Sequence, residues 1–493
     1  MKNLLCLFCG LASVIHGETR VACVGDSITF GARIADRGKL SYPAQLGCLM
    51  GEDYAVKNFG VNGRTMLQKG NAPYRSGAAY RASLDFKPDL VIIKLGTNDS
   101  KPQNWQHKAE FLQDTKDLIA SYAVLPRKPR ILLCQPVPVV KDGQITEKIV
   151  RGEVAPRLRK AAFDTGVELV DLHPVLVDFP AAFPDGLHPN ALGAQRMAEY
   201  LFQVISVERD AAFSFTSPAG SRPRSYHGYR QYDFKYQGNP CRIAVPKLAA
   251  RGAPCIWRGY YWGHQPQFDV AMLERGWHVV YCSVSNLFGS PKAVKRWDGF
   301  YDFLQQNGFG EKPVLEGMSR GGLITHTWAT ANPGKVGGII GDNAVLDLRS
   351  WPGDFDKPDQ SHAPLWNTVK EVYGFASDAE ARAYTRYPVD TVVELKKAQV
   401  PLMYLVADAD PVVPAKDNAF AAEKKLGDYA RVIRKPGLGH HPHSLRNPRP
   451  MVDFAMEANG TAIHAVDQLN RETYTAWPEE LQEQLRGLRP GER

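Results

Sequence analysis

Short apolar runs that alternate with stretches of helical spacing constrain this chain more than any other feature, because strands and helices around a parallel sheet produce that alternation. Arg20 to Val24, Asp89 to Leu95, Arg130 to Cys134 and Glu168 to Leu172 read as buried strands, with helices expected over Ala109 to Tyr122 and Gly193 to Val207. Ser214 to Tyr226, rich in Ser, Pro, Gly and Arg, interrupts the pattern. A second alternation then starts, with strands near Cys241 to Pro246, Ala253 to Trp257, His278 to Cys282, Pro313 to Leu315, Val336 to Ile340, Leu402 to Val406 and Ala430 to Arg434. Two α/β domains are therefore expected, at 19–206 and 226–458, joined by a linker at 207–225 and followed by a helical tail at 459–493. The length of 493 residues agrees, since one domain takes about 100 to 200.

Residues 1–17 carry one Lys, a short apolar run and small residues at the end, the pattern of a secretory signal peptide, so a secreted or periplasmic protein is expected. No later segment supplies the roughly 20 consecutive apolar residues of a membrane helix. The net charge of +8 is spread along the chain without a basic block, which argues against a nucleic-acid partner. Six Cys lie beyond the signal without CxxC or paired-His spacing, so no metal or other cofactor is expected. They read as buried thiols, although secretion would permit a bridge such as Cys241 with Cys255.

Directly after the first strand stands Gly25-Asp26-Ser27-Ile28-Thr29, placing a Ser at the carboxyl end of a strand, where open α/β sheets present their ligands. Three further blocks follow in order: Asn58-Phe59-Gly60, Gly96-Thr97-Asn98-Asp99 and Asp185-Gly186-Leu187-His188. Residues 19–206 with these four blocks resemble the SGNH (GDSL-like) hydrolases. That resemblance implies a flavodoxin-like three-layer fold, with Ser27 as nucleophile, His188 as base and Asp185 as its orienting acid. It also implies an oxyanion hole from the N–H groups of Ser27 and Gly60 and the side-chain amide of Asn98.

In the second half, the strand ending near Leu315 runs into Gly317-Met318-Ser319-Arg320-Gly321-Gly322 and then an apolar helical stretch, the form of a nucleophile elbow. Downstream stand Asp408-Ala409-Asp410-Pro411 after a late strand and Gly437-Leu438-Gly439-His440. Residues 226–458 resemble the α/β-hydrolase fold, whose order is Ser, acid, His. The resemblance implies Ser319, Asp410 and His440, with His441 a rival base and Asp342 a rival acid. Oxyanion donors are expected from Arg320 N–H and the loop Arg258-Gly259-Tyr260. The Ser319-Arg320 pair is similar to that of glucuronoyl esterases over only these few residues, and the Arg320 cation suits a carboxylate or an oxyanion.

Eight of nine Trp lie in the second half, and Trp262 and Trp351, in loops, are candidates for stacking on sugar rings. The insertion Asp347 to Asp390 sits where this fold often carries a lid. Together the two resemblances suggest a secreted serine esterase that removes acyl groups, with acetyl favoured, from a polysaccharide or oligosaccharide. The alternatives are one catalytic SGNH domain with a non-catalytic sugar-binding module, or a lipid or aryl esterase.

Overall fold

The computed structural model describes residues 18–218, 221–353 and 362–460. The expected signal peptide and the tail from residue 461 lie outside these.

Five strands form the first sheet: β1 (Thr19–Gly25), β2 (Tyr54–Gly60), β3 (Leu90–Lys94), β4 (Arg130–Gln135) and β5 (Glu168–Asp171). Their order is β2-β1-β3-β4-β5 and every pairing is parallel. Both faces of such a sheet are covered, which is why its inner strands read as continuous apolar runs. Side chains alternate between the faces. Val21, Cys23 and Ile92 pack with the helices Tyr42–Met50 and Ala191–Ser206, whereas Ala22, Val24 and Val91 pack with Phe111–Ala123 and Ala155–Thr165. The result is three layers. β2 escapes the sequence reading because Lys57 and Asn58 are exposed on this edge strand and interrupt any apolar run.

The expected linker is partly structural. β6 (Arg209–Asp210) pairs antiparallel with β10 (Ala249–Ala250), and β7 (Arg224–Tyr226) opens the second sheet. That sheet also holds β8 (Tyr229–Tyr236), β9 (Asn239–Val245), β11 (Cys255–Arg258), β12 (His278–Cys282), β13 (Val314–Met318), β14 (Gly338–Asp342), β15 (Leu402–Ala407) and β16 (Arg431–Lys435). Its order is β16-β15-β14-β13-β11-β12-β9-β8-β7, antiparallel from β12 through β9 and β8 to β7 and parallel elsewhere. The strand β12 separates β9 from β11, so the Cys241–Cys255 bridge that secretion would permit is not formed; Cys241 instead faces Cys282 across β9 and β12. Beyond residues 354–361, the insertion after β14 folds into helices at Ala363–Tyr373, Asp378–Ala383 and Pro388–Lys397.

The two units share a buried junction. Leu169 of the first sheet lies in one apolar cluster with Tyr226, Tyr229, Val270 and Leu273. The Tyr229 hydroxyl donates to Leu169 O at 2.8 Å, and Arg275 Nη2 to Gln203 Oε1 at 2.8 Å. Glu274, fully buried, accepts from Asp171 N at 2.7 Å and from the Tyr200 hydroxyl. Burial pushes its carboxyl up to about 8.

Candidate active site

At the carboxyl end of β1, Asp26 caps the short helix Ser27–Phe30 by accepting Ile28 N–H at 3.0 Å, which sets Ser27 at the mouth of the sheet. The Ser27 Oγ lies 2.9 Å from His188 Nε2, and His188 Nδ1 lies 2.8 Å from Asp185 Oδ2. The other carboxylate oxygen accepts Leu187 N–H at 3.0 Å and His188 N–H at 2.8 Å, so one tight turn fixes acid and imidazole together. Asn190 then caps the helix Ala191–Ser206, accepting Gly193 N–H at 3.0 Å, and anchors the far end of that turn. Partial burial pushes the Asp185 carboxyl up, but the three hydrogen bonds from His188 and Leu187 outweigh it and hold it down to about 2.

Gly60 and Asn98 stand at the ends of β2 and β3, beside β1. A Cβ on Gly60 would lie 2.3 Å from Phe30 N, so only glycine lets the two backbones approach this closely. Its N–H donates to Asn58 Oδ1 at 2.9 Å, so this expected oxyanion donor is already engaged. Asn98 Nδ2 donates to Arg64 O at 3.2 Å, which uses one of the two hydrogens of its amide.

Two supporting groups escape the sequence reading. Lys94, fully buried, reaches both Asp26 carboxylate oxygens at 3.2 Å and Thr97 Oγ1 at 2.8 Å, tying the Gly-Asp-Ser turn to the Asn98 turn. The signal was a Lys closing an otherwise apolar strand. Asp99 accepts Met66 N–H at 3.0 Å and Leu67 N–H at 2.8 Å, and burial pushes its carboxyl up to about 7. Arg33 Nε lies 2.6 Å from Asp185 Oδ2, an exposed contact that no motif marks.

A second Ser, His and Asp grouping stands on a different frame. Ser319 sits between β13 and the helix Gly321–Ala331 with φ +48°, the left-handed backbone of a strained strand-to-helix turn. A Cβ on Gly317 would lie 2.6 Å from Thr325 Oγ1, which explains the glycine beside the turn. The Ser319 Oγ is 3.0 Å from His440 Nε2, and His440 Nδ1 is 2.7 Å from Asp410 Oδ2. Asp410 Oδ1 accepts Val412 N–H at 2.8 Å and Val413 N–H at 2.9 Å. Burial pushes the Asp410 carboxyl up, but the bond from His440 and these N–H donors leave it below its ordinary value.

The rivals lie elsewhere. Asp342 is bound to Lys435 Nζ at 2.9 Å and to Ser444 N–H, and His443 Nδ1 is 3.5 Å from it. His441 is exposed and packs on His264 and His443. Burial and the neighbouring imidazoles lower the pKa of both His264 and His441. The ligand nitrogens of His440, His441 and His443 lie within 4.8 Å of one another, a grouping that no spacing in the sequence marks as a metal site.

Arg320 Nε donates to the Tyr261 hydroxyl at 3.2 Å and Nη1 to the Tyr260 hydroxyl at 3.5 Å, and a small hollow lined by Tyr260, Val284, Asn286 and Phe288 adjoins it. Of the two tryptophans, Trp351 does not offer the expected stacking surface. Trp262 packs on Tyr226 and Tyr281 and donates its indole N–H to Gln231 Oε1 at 2.9 Å. Trp351 is near the site but only 6% exposed, and the Arg320 guanidinium covers its ring at 5.4 Å.

Residues 23–196 match the GDSL-like Lipase/Acylhydrolase family. The match takes in the blocks that hold Ser27, Gly60, Asn98 and His188. An acetylxylan esterase of Xylanibacter ruminicola is 44% identical over 205 residues, 38% of this chain and 43% of that protein. The shared segment thus spans less than half of that relative. Among solved structures, a carbohydrate acetylesterase from Sinorhizobium meliloti is 20% identical, covering 38% of this chain and 99% of its own with a TM-score of 0.32. A puromycin-hydrolyzing peptidase of Mycobacterium tuberculosis is 16% identical, covering 50% and 43% with a TM-score of 0.38. Among the described residues no helix is long and apolar enough to cross a membrane.

Proposed function

We propose that this protein is a serine esterase that removes acyl groups, acetyl first among them, from carbohydrate, with one Ser-His-Asp site in the SGNH domain and another in a domain of α/β-hydrolase type. The observation that carries this reading is the paired geometry: Ser27 Oγ 2.9 Å from His188 Nε2, and Ser319 Oγ 3.0 Å from His440 Nε2, each imidazole backed by a carboxylate. The acetylxylan esterase relative supports carbohydrate as the substrate class for the first site.

In each site the neutral imidazole takes the Ser Oγ proton through Nε2 as Oγ attacks the ester carbonyl, while Nδ1–H stays bound to Asp185 or Asp410 and stabilises the imidazolium. The tetrahedral oxyanion is met by Ser27 N–H and Asn98 Nδ2 in the first site. Gly60 N–H joins them by sharing its hydrogen with Asn58. In the second site Arg320 N–H and Tyr260 N–H serve, Gly259 N–H being already bound to Glu316 O at 2.8 Å. Collapse breaks the bond to the sugar oxygen, which takes the proton from the imidazolium and leaves as a hydroxyl, and water attacking the acyl-enzyme repeats the steps to free the acid. The Arg320 cation, held by Tyr260 and Tyr261, favours a substrate that carries a carboxylate near its ester in the second site.

A screen of acylated oligosaccharides against Ser27→Ala and Ser319→Ala variants tests the reading. Each variant should lose one activity and keep the other, with only the weak residual catalysis of oxyanion contacts and binding at the altered site. Loss of all activity from either change in a folded protein overturns it.

A further inference from the structure

Four imidazoles converge beside Ser319: His440, His441 and His443 from the loop after β16, and His264 from the loop after β11. The ring centroids lie 5.1 Å apart for His440 and His441, 4.8 Å for His440 and His443, and 5.1 Å for His441 and His443. His264 stands 5.7 Å from both His441 and His443. In a tetrahedral zinc site each nitrogen lies about 2.0–2.1 Å from the metal, which puts imidazole centroids roughly 5.2 Å apart. The ligand nitrogens of His440, His441 and His443 lie within 4.8 Å of one another, against about 3.3 Å for nitrogens that share a tetrahedral zinc, so small side-chain movements would close the site.

Two further features suit a cation. His440 has a carboxylate bonded behind Nδ1, Asp410 at 2.7 Å, the arrangement that turns Nε2 toward a metal and raises its basicity, and the Asp342 carboxylate lies 3.5 Å from His443 Nδ1. His264 Nε2 is buried without a hydrogen-bond partner, an arrangement that costs stability unless something satisfies it.

We propose that His440, His441, His443 and His264 form a site for a divalent transition cation of zinc-like chemistry, and that the bound cation switches off the second site by taking the His440 lone pair. The Nε2 lone pair that accepts the Ser319 proton is the one a metal would use, so coordination and general-base catalysis exclude each other. No proton or electron changes hands on binding, because neutral imidazoles coordinate directly and Ser319 keeps its hydrogen. Imidazole ligands select zinc, copper or nickel over magnesium or calcium. Only the inhibition rests on the esterase reading of Ser319; the binding does not.

The whole chain, freed of metal with EDTA and dialysed, is titrated with Zn2+ by calorimetry and with Co2+ by absorption spectroscopy, in Ser27→Ala and in Ser319→Ala backgrounds. We expect about one cation per chain and the intense visible bands of tetrahedral Co2+ in both. In Ser27→Ala, esterase activity should fall as the site fills and return with EDTA. His441→Gln and His264→Gln should leave the metal-free rate near that of the parent. Each should weaken Zn2+ binding by at least the roughly 10- to 100-fold that loss of a group behind a ligand costs. Absence of binding at micromolar Zn2+, or binding that neither variant weakens, overturns the site. Binding with full esterase activity retained overturns the switch. If Ser27→Ala shows no esterase activity at all, the proposed function of the second site fails, and the calorimetry and Co2+ spectrum still decide the metal site.

Discussion

Single side chains divide the labour at both sites. The Asn98 amide spends one hydrogen on Arg64 O, and in the proposed mechanism keeps the other for a developing oxyanion, whereas Gly60 N–H is bound to Asn58. Asn98 is therefore expected to carry more of the first site's oxyanion stabilisation. Asn98→Ala should lower kcat about 100- to 1000-fold on acetylated oligosaccharide with little change in KM, checked by steady-state kinetics in a Ser319→Ala background. A residual activity equal to the parent's would remove Asn98 from that role. Lys94 acts through other groups: its buried ammonium neutralises Asp26 and holds Thr97, so the Ser27 and Asn98 turns keep one spacing. The sequence marked Ser27, Asn98 and His188 because the chemistry demands those residue types in ordered blocks. Arg33 and Asn58 carried no such mark, since each acts only through a contact made in the folded chain.

Strands and turns were legible where burial made them apolar. The inner strands β1, β3, β4, β13, β14 and β15 are buried almost throughout and agree with the expected runs to within a few residues. The strands β2, β7 and β8 are not: polar residues reach solvent along them, and the edge positions of β2 and β7 are a property of the sheet, not of the run itself. Partner choice between strands was likewise hidden, as the cysteines show. Ser283 N donates to Pro240 O at 2.9 Å, so the neighbouring Cys282 and Cys241 occupy a pair without mutual backbone bonds, where Cα atoms approach to about 4.5 Å. That separation admits a disulfide. Refolding in oxidised glutathione should therefore link the two thiols, each losing its proton while glutathione disulfide is reduced to two glutathione thiols. Intact mass under non-reducing conditions should fall by two hydrogens in the parent and not in Cys241→Ser. An unchanged mass would show that the pair stays reduced.

At the scale of the whole molecule the units do not hang on a flexible tether. Tyr229, Leu273 and Leu169 share one core, and Arg449 Nη1 meets Glu199 Oε2 at 3.2 Å across the junction. Glu274 sits in that junction with its carboxyl pushed up to about 8 by burial, against about 4.3 for a free glutamate. The folded chain thus holds a proton there that the unfolded chain releases. Stability from this group is complete below about pH 4 and declines as pH rises toward 8. Thermal melts from pH 5 to 9 should show Tm falling with pH more steeply in the parent than in Glu274→Gln, and equal slopes would refute the assignment. By itself the sequence determined two α/β units, the strand ends that carry Ser27 and Ser319, and the candidate residues of each site, because periodicity and reactive residue types are local properties. Only the tertiary structure decided which acid faces His440, that Trp351 is buried under Arg320, that four histidines from two loops converge, and that the units share a core. Each of these depends on groups far apart in the chain becoming neighbours, and no local pattern encodes that proximity.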